Sequence, residues 1–211
     1  PSILDSGGCD DNPRRCPGRE SYSYRDGRDG LRAMIAVLMY HSIVPEVSDR
    51  FGVSRASFQA QLDAIAAVTG EGSGDTRVMI TFDDGLISHY DMVVPELSTR
   101  RISGLFFVSP GLIGTPGFLG WEHLRDLAAM GMTIGSHTVT HVNLALITEE
   151  QAFDEMFESR VTLEDRLGIA IRDLALPGGF APRRVRRQAA MAGYSRVFTS
   201  QPQLWNGHSM C

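Results

Sequence analysis

Cysteine is scarce in this chain. Cys9, Cys16 and Cys211 are the whole supply, too few for a disulfide framework. Cys9 and Cys16 are close enough in sequence to pair across a short loop, which leaves Cys211 over. No second Cys/His pair lies near them, which argues against a zinc knuckle. Long apolar runs are missing too. None approaches the roughly 20 residues that a membrane-spanning helix needs. No signal-peptide pattern is present; the chain starts at Pro1, as it would after removal of a leader or in a partial sequence, and the compartment is left open. There is no surplus of positive charge: 20 Lys+Arg stand against 25 Asp+Glu, a formal net charge of −5, which disfavours nucleic acid as a partner. The one basic cluster, Arg183-Arg184-Val185-Arg186-Arg187, follows Pro182 at an expected helix start and reads as a solvated face, with contact to an anionic substrate as the alternative. A Gly-rich phosphate loop carrying lysine is absent, which argues against phosphoryl transfer.

What is present suits one domain with a proper core: 211 residues, 43% of them hydrophobic. Residues 1–30 are rich in Gly, Asp and Arg, lack periodicity, and are expected to form a disordered lead-in to a domain spanning 31–211. Beyond them short apolar runs alternate with amphipathic stretches. Strands are expected at 34–40, 77–82, 104–108, 132–136, 171–176 and 195–199. Helices are expected at 54–68 (Ser54 as N-cap), 88–100 (accommodating Pro95), 121–130 (closed by Gly131), 149–167 (a Thr148/Gln151 capping box, closed by Gly168) and 182–192. Alternating strand and helix predicts an α/β fold built on a parallel sheet or barrel. A complete eight-fold barrel typically takes about 250 residues, so an incomplete or distorted barrel is the better match.

Two short stretches carry the chemistry. Arg77–Phe82 is a β-prone run that ends in Asp83-Asp84-Gly85, and Met132–Ser136 is another that ends in His137-Thr138-Val139-Thr140-His141. Both motifs therefore sit at expected strand ends. Two imidazoles and a carboxylate can hold a divalent ion and leave a position open, while a second carboxylate outside the ligand set can act as a base. Residues four apart share one side of a helical turn, so a turn over His137–His141 would aim both rings at one point. Either motif alone has a plain reading: Asp-Asp-Gly as a turn, and His-x-x-x-His as a surface or core pair.

Together the two stretches resemble the motifs of the polysaccharide deacetylase family, carbohydrate esterase family 4, which has the NodB-like fold. The resemblance runs from about Met34 to about Asn206. It implies a distorted or incomplete (β/α) barrel of parallel strands. It further implies Asp84, His137 and His141 as metal ligands and Asp83 as catalytic base. The first strand ends in Tyr40-His41-Ser42, which is similar to the permuted poly-N-acetylglucosamine deacetylase branch and makes His41 the implied general acid. One motif departs from the family pattern. Where an arginine commonly orients the base, Ala175 stands in Ala175-Leu176-Pro177-Gly178-Gly179. The Pro177–Gly179 turn reads either as a plain turn or as the source of a backbone N–H for an oxyanion. Trp205 reads either as a sugar-groove residue or as a packed surface tryptophan. His89, His123 and His208 read as surface or structural.

The function expected on this resemblance is metal-dependent removal of N-acetyl groups from an amino-sugar polymer or oligomer, of the poly-N-acetylglucosamine, chitin or peptidoglycan type. The ligand types suit one Zn2+, with Co2+, Ni2+ or Fe2+ also compatible. Two other readings remain: the same chemistry on an O-acetyl ester or small amide, and a non-catalytic carbohydrate-binding relative.

Overall fold

Each apolar run expected to be a strand enters a single sheet, and each amphipathic stretch crosses over it. The computed structural model describes residues 35–47, 50–69, 77–180 and 182–200. The expected lead-in over 1–30, the three cysteines, Trp205 and His208 lie outside the described residues.

The strands are β1 (Ile35–Tyr40), β2 (Ser42–Val44), β3 (Gly52–Ser54), β4 (Arg77–Phe82), β5 (Leu105–Val108), β6 (Thr133–Ser136), β7 (Asp173–Ala175) and β8 (Arg196–Phe198). The helices are α1 (Arg55–Thr69), α2 (Val94–Arg100), α3 (Trp121–Ala129), α4 (Glu149–Leu167) and α5 (Arg183–Met191). Six strands form one parallel sheet in the order β1-β4-β5-β6-β7-β8, and β2 pairs with β3 in a separate parallel ribbon. The six-stranded order follows the chain without reversal, so the sheet is wound in one direction, as in a (β/α) barrel. This is the expected distorted, incomplete barrel. All six carboxyl ends point the same way, and the site lies there.

Local chemistry explains the element ends. Ser54 Oγ accepts the N–H of Ser57 and so caps α1. Thr148 and Gln151 form the capping box that opens α4, and Gly168 closes it in a left-handed conformation. The stretch expected as one helix over 88–100 is divided: His89–Val93 is π-helical, and α2 begins at Val94. Pro95 thereby falls in the first turn of α2, where a missing N–H costs nothing.

The core beneath the carboxyl ends is aromatic. Phe82 on β4 stacks on Phe106 of β5 at 4.8 Å between centroids, and Tyr40 of β1 packs on both Phe58 and Phe82. Such pairs contribute about 0.5–1.5 kcal/mol each beyond burial. The rings lock β1, β4 and β5 side by side, which fixes where their ends can deliver side chains. Among the described residues no helix is long and apolar enough to cross a membrane.

Outside the sheet, Glu96 of α2 joins α1 to α2. Its carboxylate accepts from Arg55 (2.8 Å) and Gln59 (2.8 Å) on α1 and from Arg100 (2.8 Å) on its own helix. The Arg55 and Gln59 hydrogen bonds, joined by that of Arg100, hold the Glu96 carboxyl down to about 2, against an ordinary value of 4.5. A carboxyl depressed on folding stabilises the fold above its unfolded pKa and ceases to as pH falls through its folded one. Glu96→Gln should therefore cost about 1 kcal/mol near neutral pH, Arg55 being half exposed. In urea unfolding the deficit should shrink as the pH is lowered from 4.5 towards 2; a deficit independent of pH would contradict it.

Candidate active site and metal centre

The site is assembled at the ends of β1, β4 and β6. The register that sets Tyr40 opposite Phe82 continues one step further, where the Asp83 N–H donates to Tyr40 O at 2.9 Å. His41 and Asp83 are thereby held side by side. Asp84 then leaves the extended conformation, with φ 74°, and Gly85 follows at φ 69°. A side chain at Gly85 would also meet Val108 Cγ1 at 2.9 Å, so glycine is required there twice over. This turn swings the Asp84 carboxylate towards the histidines.

His137 is fixed from three directions. Its N–H donates to Val108 O at 2.8 Å, its carbonyl accepts from Ser109 Oγ at 2.8 Å, and its ring Nδ1 lies 2.9 Å from Ala175 O. With Nδ1–H donating to that carbonyl, Nε2 carries the free lone pair, the arrangement that orients metal-binding histidines. The methyl of Ala175 packs with Leu105 and Phe107, while its backbone performs the orienting role.

The segment to His141 is not the helical turn expected. Thr138 and His141 both have left-handed backbones, at φ 65° and 61°, and the residues between them form a bend. The rings nevertheless converge, with centroids 4.8 Å apart. Helical spacing gave the right outcome through the wrong geometry. The Val139 carbonyl accepts from Gly111 on the neighbouring loop, and the Val139 and Thr140 N–H groups donate to Glu155 on α4. A helix would have needed those groups for itself.

Asp84 Oδ1 lies 3.0 Å from His141 Nε2 and 3.4 Å from His137 Nε2. It is buried and completes no well-aligned hydrogen bond to either ring. The three residues thus form a donor set, one atom from each, within 4.8 Å of one another. That donor set suits a divalent ion. Burial pushes the Asp84 carboxyl up, but the two imidazoles outweigh it and hold it well below the usual carboxylate range. Reciprocally, the adjacent Asp84 carboxylate raises His141 against the effect of burial.

Asp83 is buried, and its Oδ1 has no hydrogen-bond partner. Burial raises its carboxyl, with His137 and His41 pulling it part of the way back. No arginine is among the groups that act on it, in keeping with Ala175 at the motif position. The Pro177–Gly179 turn is compact: the Gly179 N–H donates to Leu176 O at 2.8 Å, and proline has none to give. Gly178 is then the residue of that turn with an N–H to offer a ligand.

Two contributors were not foreseen from the sequence: Glu155 and Ser109 bond the segment that carries the two histidines. His89, read as surface or structural, is structural, a buried strut. Its Nε2 sits 2.5 Å from His41 O, and its ring lies against Phe82 and Phe106. Burial lowers its pKa to about 4, so the ring is neutral near pH 7 and donates to that carbonyl. His123 is structural as expected, its Nδ1 accepting the Gly120 N–H at the start of α3.

If Asp84, His137 and His141 together hold an ion, removing one of the three should weaken its binding by more than the roughly 10–100-fold that outer-shell changes produce. His141→Ala is therefore expected to lose zinc on equilibrium dialysis followed by metal analysis. Retention of stoichiometric zinc would exclude His141 from the site.

Known proteins give the arrangement its context. Residues 70–197 match the family Polysaccharide deacetylase. YxkH of Bacillus subtilis, named as a polysaccharide deacetylase, is 26% identical over 185 residues, covering 81% of this chain and 66% of its own length. A chitooligosaccharide deacetylase from Bradyrhizobium is 29% identical over 147 residues, covering 68% of this chain and 65% of its own. The match thus spans just under two thirds of each relative. Among solved structures, IcaB from Ammonifex degensii superposes with a TM-score of 0.71 at 29% identity, covering 79% of this chain and 84% of that one. The Streptococcus pyogenes deacetylase PplD shares the fold, with a TM-score of 0.75 at 23% identity over 82% of this chain and 87% of its own. With the family pattern extending from before β4 to β8, and so across Asp83, Asp84, His137 and His141, the chain belongs to the polysaccharide deacetylase family.

Proposed function

We propose that this protein is a metal-dependent hydrolase that removes N-acetyl groups from an amino-sugar polymer or oligomer, of the poly-N-acetylglucosamine, chitin or peptidoglycan type, and releases acetate. The observation that carries the reading is the buried carboxyl of Asp83, whose Oδ1 has no hydrogen-bond partner and which feels His41 as well as the histidines of the Asp84–His137–His141 donor set. The chitooligosaccharide deacetylase among the relatives supports the substrate class.

Asp84, His137 and His141 would hold the ion, with zinc the best match to two imidazoles and a carboxylate. Bound there, it supplies Lewis acidity towards water and the acyl oxygen. The remaining work falls to the chain's own groups. Asp83 Oδ1 takes a proton from the water that attacks the acetamide carbon, and its raised proton affinity suits that task. Burial and neighbouring imidazoles tune it where other family members use an arginine. The Gly178 N–H is the backbone donor available to the developing oxyanion. As the C–N bond breaks, the His41 imidazole gives a proton to the departing amine nitrogen. Acetate and a free amino sugar result. His89, donating to the His41 carbonyl, keeps the general acid at its strand end.

Asp83→Asn removes the base without touching the ligands, so turnover of N-acetylglucosamine oligomers should fall by at least about 10²–10⁴-fold while zinc content stays unchanged. An undiminished rate would remove Asp83 from the mechanism. His41→Ala should cost about 10²-fold in kcat while zinc content stays unchanged. An undiminished kcat would assign the acid elsewhere.

A further inference from the structure

Glu155 belongs to neither motif. It lies on α4, fourteen residues beyond the second histidine ligand, and its carboxylate is committed to the segment between the two histidines. Oε2 accepts the N–H of Val139 at 2.8 Å and of Thr140 at 2.9 Å, and Oε1 accepts the Thr140 hydroxyl at 2.7 Å. One side chain therefore satisfies two of the three backbone donors between His137 and His141, the Thr138 N–H going to Ser136 Oγ.

That segment needs an external hold. Thr138, a β-branched residue, and His141 both have left-handed backbones, and the bend has no helical hydrogen bonds of its own. The two ligands differ in how they are fixed. His137 is tied to the sheet through Val108, Ser109 and Ala175. Among the described residues His141 has no such set of ties to the sheet; its place follows from the bend before it, and the bend is bonded to Glu155.

We propose that Glu155 is a positioning residue that sets the place of His141 and, through it, the divalent-metal affinity of the Asp84–His137–His141 site. The proposal rests on the metal reading given above. Glu155 acts through the backbone of residues 139 and 140, by accepting their protons, as outer-shell groups elsewhere orient metal ligands.

The test compares zinc affinity, by competition with a chromophoric chelator, in the wild type, Glu155→Ala and Glu155→Gln. Amide hydrogen exchange at Val139 and Thr140 is followed in the metal-free proteins. Glu155→Ala should weaken zinc binding about 10–100-fold and speed exchange at both amides. Glu155→Gln keeps an oxygen acceptor at the same reach and should recover most of the affinity. Should Glu155→Ala fail to fold, Thr140→Val, which removes the hydroxyl bond alone, should still weaken zinc binding by a few-fold. A folded Glu155→Ala protein with wild-type affinity and unchanged exchange would overturn the proposal, as would a glutamine variant no better than alanine. A wild type that binds no zinc would overturn the metal reading itself, while the exchange rates would still report whether Glu155 holds the bend.

Discussion

The site depends on the convergence of one carboxylate oxygen and two imidazole nitrogens at the carboxyl ends of two strands that are not neighbours. Asp84 comes from the end of β4 and the histidines from the end of β6, with β5 between them. Bringing them together demands backbone conformations that the chain would not otherwise choose. Four non-glycine residues among those described have left-handed backbones, and three of them are Asp84, Thr138 and His141. Each costs on the order of 1–2 kcal/mol. Strain concentrated in this way marks where the fold spends stability on function, and the surroundings must over-determine it.

The surroundings do so in layers. The aromatic stack of Tyr40, Phe58, Phe82 and Phe106 fixes the strands in register. Backbone bonds then extend the strand pairings past their formal ends, Asp83 to Tyr40 and His137 to Val108. Polar groups from elsewhere finish the work: Ser109 on His137, His89 on His41, and Glu155 on the bend. Ala175 contributes through its backbone, since its carbonyl orients His137. Its side chain offers Asp83 no charge, and burial, the neighbouring imidazoles and the Asp84 carboxylate act on that group.

Much of this was legible in the sequence, for physical reasons. Strands and helices were readable because apolar period and capping chemistry agree, as at Thr148–Gln151 and Gly168. The Asp84, His137 and His141 cluster was readable as a candidate because its residue types are rare in such spacing. The bend at His137–His141 was misread as helical, because a four-residue spacing is shared by a helical turn and by a left-handed bend anchored from outside. The anchor, Glu155, is one of several acids on a charged helix, and nothing local distinguishes it. His89 was likewise visible only as an unremarkable histidine until the π-helical stretch placed it beneath His41. Residues that act across elements leave no periodic or motif signal.

The most direct test of the account is acetate release from N-acetylglucosamine oligomers by chelator-stripped protein, before and after one equivalent of zinc, cobalt or nickel is restored. The account predicts no release from the stripped protein and restored release at one metal per chain. Release that is indifferent to metal, or its absence in protein shown to have bound one equivalent, would contradict it.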